Sequence, residues 1–326
     1  HVIAKYGLRQ LVPDHVRFVS GPGCPVCVTS PADIDEAIAC AKAGATVAIF
    51  GDMIRVPGSY GSLAQERAAG GDIRIVYSPL AALKLAQDNP HMQVVFVATG
   101  FETTAPGIAL TVVQAHREKV KNFFVLSLLK TMPAVLRFLL AAGSAVDAFL
   151  LPGHVCTVIG IEPFLFLAQE FQRAAVISGF TPEDILASVK MLEATGWDPK
   201  VTIQYRRAVR PAGNRTAQQI INKIFSPSNV SWRGFGVIPQ SGLKLNKEWA
   251  PFDVRRKYRL AATHHRPEED CDSQSSCAAV LKGLLSPVDC SFFGTTCQPE
   301  NPRGPSMVSA EGACAAYFTY GGREYG

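Results

Sequence analysis

Short runs that are apolar at nearly every position, set between stretches of helical pattern, constrain this chain more than any other feature: VRFVS at 16–20, TVAIF at 46–50, IRIVY at 73–77, VVFVAT at 94–99, FFVLSLL at 123–129, AFLL at 148–151 and AAVIS at 174–178. Runs that do not alternate with polar residues must be covered on both faces, which is the signature of parallel strands sandwiched by helices. Helix-start chemistry follows two of them. Ser30, Pro31 and Asp33 supply an N-cap, a first-turn proline and a capping-box carboxylate, and Thr181, Pro182 and Asp184 repeat the pattern. The expected fold is α/β: two parallel-sheet α/β domains over 1–122 and 123–225, then a smaller, less regular C-terminal domain over 226–326. Gly-Phe stands just after a strand in both TGFET (99–103) and SGFTP (178–182), a faint echo between the two halves.

With 326 residues and 48% hydrophobic content, the chain can build a large core in two or three domains. Its net charge of +5 is dispersed without a basic block, which argues against nucleic acid as a partner. No apolar run approaches the roughly 18 residues of a membrane helix, and no secretory signal opens the chain, so a cytoplasmic location without membrane contact is expected. The opening HVIAKYGLRQLVP has no initiator methionine and points to a missing upstream segment. Nine cysteines in a cytosolic chain read as metal ligands, redox thiols and small buried hydrophobes. Neither GxxxxGK[ST] nor a post-strand GxGxxG is present, so conventional nucleotide chemistry has no support.

The chemistry-bearing residues fall into separate segments. Cys24 and Cys27 form the CxxC of GPGCPVCV, in what reads as a strand-to-helix loop just before the Ser30 cap. The positive end of the helix favours a thiolate there, and the spacing suits a disulfide ring or a soft metal. Half of a structural zinc site is the alternative, but no second CxxC completes it. Cys290, Cys297 and Cys314 stand in a polar, proline-interrupted segment whose spacing suits loops around an iron-sulfur cluster. The fourth ligand is open between Cys277 and Cys271, with zinc or unrelated buried thiols as the other readings.

Glu102 and Thr103, in GFETTAP, lie at a strand end, where the hydroxyls of Thr103 and Thr104 either cap the next helix or meet a ligand, and the carboxylate needs solvent or a partner. His154, in PGHVC, is a metal ligand or proton carrier on one reading and structural on the other. Glu311, in SAEGAC, either approaches the cluster or sits at a helix start. Cys40 and Cys156 read as core, His264 and His265 as surface.

Taken in order, GPGCPVCV, GFETTAP, LPGHVCTVIG, WRGFGVIPQSGLKL and FGTTCQPENPRGPSMVSAEGACAAYF resemble the HypD family of nickel–iron hydrogenase maturation factors over essentially the whole chain. The resemblance implies a scaffold on which the Fe(CN)2CO group is assembled, with a small HypC-type chaperone sharing the iron and a HypE-type partner donating cyanide. It implies a 4Fe-4S cluster held by Cys290, Cys297, Cys314 and a fourth group, a redox-active Cys24/Cys27 pair, and functional roles for His154 and Glu311. On this reading Glu102 and Thr103 shape the cleft between domains, and an iron ion carrying CN and CO is a transient cargo.

Two departures stand out. Only His1 remains of the family's Cys-Gly-x-His segment, and Ser275 stands where the first cluster cysteine would fall, leaving Cys277, Cys271, Ser275 or another group as fourth ligand, or a three-iron form of the cluster. Ser306 replaces a further family cysteine not expected to be a ligand. An assembly scaffold fits better than a turnover enzyme. The rival is a free-standing iron-sulfur thiol-disulfide oxidoreductase that relays electrons to small partners.

Overall fold

The computed structural model describes residues 1–258 and 276–321. Cys271, Ser275, His264 and His265 lie outside the described residues. The expected α/β architecture is present. Strands β1 (Thr46–Ile49), β2 (Ile73–Ile75), β3 (Val94–Gly100) and β4 (Phe123–Leu129) form a parallel sheet in the order β2-β1-β3-β4. Every residue of β1, β3 and β4 is buried, which is why these runs carry no polar alternation. A second parallel sheet holds β5 (Ala148–Pro152), β6 (Ala174–Ser178) and β7 (Val201–Ile203) in the order β5-β6-β7. One apolar core joins the two sheets, from Val47 and Val95 to Leu151 and Ile177.

Both helix starts form as expected. Ser30 and Asp33 close a capping box on the helix Pro31–Lys42, and Thr181 and Asp184 close another on Pro182–Ala194. In each the hydroxyl takes an N–H of the first turn while the carboxylate takes the cap's own N–H, satisfying two otherwise orphaned donors.

Three segments differ from the sequence expectation. Residues 16–20 form no strand: the segment is only partly buried, with Arg17 and Val19 exposed, and no described strand pairs with it, so the CxxC loop follows irregular chain. The run at 123–129, counted with the second unit, pairs with β3 in register from Val94↔Phe123 to Gly100↔Leu129 and closes the first sheet.

The third difference lies in the region read as irregular. It opens with an antiparallel hairpin, β8 (Phe225–Trp232) and β9 (Gly236–Leu245), whose register shifts between Ser228 and Val230 and whose Pro227 and Pro239 hide it from a strand search. This hairpin docks on β4: Ser127 Oγ donates to the Leu243 carbonyl at 2.6 Å, and Lys130 bridges to Gly242. Short helices and turns from Cys277 to Gly321 make up the less regular remainder, with a small core of their own around Val280, Cys297, Met307 and Cys314. Among the described residues no helix is long and apolar enough to cross a membrane.

Candidate functional site

The loop Gly21–Ser30 carries Cys24 and Cys27, joined in a disulfide with their Cα atoms 5.2 Å apart. Both are buried, Cys27 almost completely at 1% exposure. The Cys27 amide donates to Cys24 Sγ at 3.1 Å, and Thr29 Oγ1 donates to the Pro25 carbonyl at 2.9 Å, so the turn is held by side-chain-to-backbone bonds within itself. Beyond it, Asp33 of the capping box also receives the buried Lys130 ammonium at 3.1 Å, and Lys130 lies 5.8 Å from the Trp232 ring centre. A buried lysine is stable there because a carboxylate and an aromatic face replace its water.

Four thiols, Cys277, Cys290, Cys297 and Cys314, line one cavity together with Val280, Phe292, Phe293, Met307 and Arg303. Burial, and then the crowding of Cys277, Cys297 and Cys290, push the Cys314 thiol well above its usual value. Four thiols converging in a largely apolar wall fit a group with a cationic iron core that takes soft thiolate ligands, as an iron-sulfur cluster does. Among the described residues no three His, Cys, Asp or Glu side chains group so as to hold a single metal ion. A Cβ at Gly304 would collide with Cys277 Sγ, so any larger residue there must displace that sulfur or the loop.

The two sulfur centres meet at one short segment. Cys27 Sγ lies 3.9 Å from the Pro305 carbonyl oxygen, and Pro305 sits between Gly304, against Cys277, and Met307, in the cavity wall. Ser306 is buried in the same segment, and its hydroxyl has no partner among the described residues.

Glu102 is buried at the end of β3. Its Oε1 accepts from the Met132 amide at 2.9 Å, while Oε2 has no partner among the described residues. Burial pushes this carboxyl up from 4.5 to about 7. Thr103 is exposed, and Thr104, the N-cap of the helix Ala105–Arg117, makes no side-chain cap bond, so of the two readings for these hydroxyls the capping one does not form at Thr104. With an αR conformation at Thr104, the hydroxyl is not presented to the first-turn amides.

His154 is exposed at the start of the helix Gly153–Ile159 and stacks on Phe180 at 4.1 Å, with Tyr205 at 6.2 Å. These partners belong to the carboxyl edge of the second sheet, which also carries the Asp184–Arg207 ion pair. Glu311 is exposed; its amide donates to Ser309 Oγ at 3.2 Å, and the adjacent Ala310 carbonyl lies 3.3 Å from His1 Nδ1. The N-terminal residue is therefore packed beside the SAEG loop. Cys40 and Cys156 are core residues, and burial first of all raises the Cys40 thiol to about 12.

The family model for HypD, described as the hydrogenase formation hypA family, matches residues 1–321. The chain belongs to the HypD family. It is 45% identical to a hydrogenase maturation factor HypD of Escherichia coli, over 98% of this chain and 86% of that protein. The HypD of Rhodobacter capsulatus is 43% identical over 99% of this chain and 87% of its own length. That of Azotobacter vinelandii is 42% identical over 98% and 86%.

In this HypD-family chain the structure brings Cys27 against Pro305, two residues before Met307 of the four-thiol cavity, and His1 against Ala310, next to Glu311, whereas His154 stands on the other sheet among aromatic residues. Sequence reasoning missed Arg233 and Lys130, both buried around the CxxC loop. The quoted WRGFG segment was the available signal for Arg233; nothing near Lys130 marked it as more than the end of a strand.

Proposed function

We propose that this HypD-family chain is a scaffold for assembling the Fe(CN)2CO group of a nickel–iron hydrogenase, working with a HypC-type chaperone and a HypE-type cyanide donor. The observation that carries the reading is the contact of Cys27 with Pro305, which sets a disulfide against the wall of a four-thiol cavity. Cys277, Cys290, Cys297 and Cys314 would hold a 4Fe-4S cluster, with Arg303 at the rim offering a cation to the cluster's negative charge. When bound, such a cluster supplies single electrons.

The chain's own residues do the rest. Opening the Cys24–Cys27 disulfide takes two electrons and two protons, the electrons drawn one at a time from a low-potential one-electron donor, and yields two thiols able to grip iron cargo. Glu102, held near neutrality by burial, can give or take a proton at the edge of β3, while exposed Thr103 shapes the nearby surface. His154 and Glu311 are exposed and therefore open to a partner carrying the cargo or its diatomic ligands.

Burial of Cys24 and Cys27 counts against a free-standing thiol-disulfide oxidoreductase, whose attacking sulfur must reach a bulky protein substrate. Hydrogenase maturation reconstituted anaerobically with Cys27→Ala tests the reading. Loss of mature hydrogenase with the cluster retained is expected; full maturation would remove the dithiol from the function.

A further inference from the structure

The segment WRGFG joins β8 to β9, and its arginine is buried to 3% exposure. A guanidinium removed from water must place its donors on acceptors. Arg233 Nε donates to the Thr29 carbonyl at 2.8 Å, a terminal N–H donates to the Pro57 carbonyl, and the Arg233 amide donates to the Val28 carbonyl at 3.0 Å. Trp232 adds an antiparallel bridge to Thr29. The hairpin end thus pairs with the two residues that follow Cys27.

The same turn also touches the other sulfur centre. Gly234 has φ +76°, and a Cβ there would collide with Ala278, the residue after Cys277. Lys282, just beyond the helix that Cys277 begins, lies over the Phe235 ring at 5.5 Å. The turn is wedged between the CxxC loop and the helix that Cys277 begins.

We propose that Arg233 is a positioning residue for the Cys24/Cys27 pair: by fixing Val28 and Thr29 it holds the two sulfurs at bonding range and so sets the equilibrium between disulfide and dithiol. This rests on the redox reading of the CxxC above. Holding two thiols in register raises their effective concentration toward each other, which favours the closed form. The equilibrium to be read is disulfide plus two glutathione thiols giving two protein thiols plus glutathione disulfide. One S–S bond breaks and one forms, with two electrons and two protons passing to Cys24 and Cys27.

The test is anaerobic equilibration of the full chain in glutathione buffers, trapping by alkylation, and quantification of the peptide that contains Cys24 and Cys27. In Arg233→Gln the constant for disulfide formation should fall about tenfold, a potential about 30 mV less negative. Arg233→Lys, which keeps the charge and one set of donors, should recover part of that loss. Phe225→Leu, at the far end of the same hairpin, serves as a control for general destabilisation and should leave the constant unchanged.

If Arg233→Gln does not fold, a shift in Arg233→Lys of about threefold or more carries the same conclusion. Equal constants in the wild type and in every folded Arg233 variant would overturn the proposal, as would an equal shift in Phe225→Leu. A wild-type pair that cannot be opened and reclosed at all would instead sink the redox reading, and the proposal with it.

Discussion

Cys27 Sγ lies 3.9 Å from the carbonyl oxygen of Pro305, 278 positions further along the chain. That contact makes one site of two cysteine groups from opposite ends of the sequence. Next to it, Gly304 has no side chain, which leaves room for Cys277 Sγ.

Gly304→Ala should therefore displace the Cys277 wall. Overpacking of this kind costs about 1–3 kcal/mol, and here the strain falls on a proposed ligand. Iron and sulfide per chain after anaerobic reconstitution should drop well below wild type, while circular dichroism of the α/β core stays intact. Undiminished iron loading would show that the close approach of Gly304 to Cys277 does not matter to the cavity.

Glu102 gives a pH signature. Its folded-state carboxyl is raised from 4.5 to about 7, so the folded protein holds a proton that the unfolded chain releases. That contribution is complete below about pH 4.5, is lost as pH rises toward 7, and is flat beyond. Glu102→Gln keeps an acceptor for the Met132 amide without the charge. Its stability advantage over wild type should grow between these pH values, to about 3 kcal/mol at the upper limit. Urea unfolding at pH 5 and pH 7.5 reads the difference; a constant offset would mean that Glu102 does not titrate in this window.

Much of this arrangement is legible in the sequence, and the remainder is hidden for identifiable reasons. The fully apolar runs at 94–99 and 123–129 reveal buried parallel strands because both of their faces are covered. Ser30 and Asp33 reveal their helix start because the cap is a local contact. The assignment of β4 to the first sheet is a matter of pairing across the fold, which a single run does not encode. The cysteine spacing singles out the C-terminal segment, and the structure places Cys277, Cys290, Cys297 and Cys314 around one cavity. The meeting of Cys27 with Pro305 and the grip of Arg233 on Thr29 are long-range contacts with no spacing signal at all.

Lys130→Met tests the ion pair beneath the CxxC loop. Removing the ammonium leaves Asp33 partly buried with only its capping bonds, and breaking such a pair costs about 3–5 kcal/mol. Chemical denaturation should show a loss of that order. A change below about 1 kcal/mol would mean that solvent satisfies Asp33.

His154→Ala separates surface recognition from folding. The ring is exposed, stacked on the partly exposed Phe180, so stability should change by only about 0.5–1.5 kcal/mol. Cluster content should not change. Hydrogenase maturation should fall sharply, and wild-type maturation by this variant would remove His154 from the function.

The central claim is that the four thiols of the C-terminal cavity hold an iron-sulfur cluster beside the disulfide. Iron and acid-labile sulfide analysis of the anaerobically reconstituted full chain tests it most directly. About four of each per chain are expected, falling sharply in Cys277→Ala. A wild-type protein that remains colourless and iron-free after reconstitution would contradict the account.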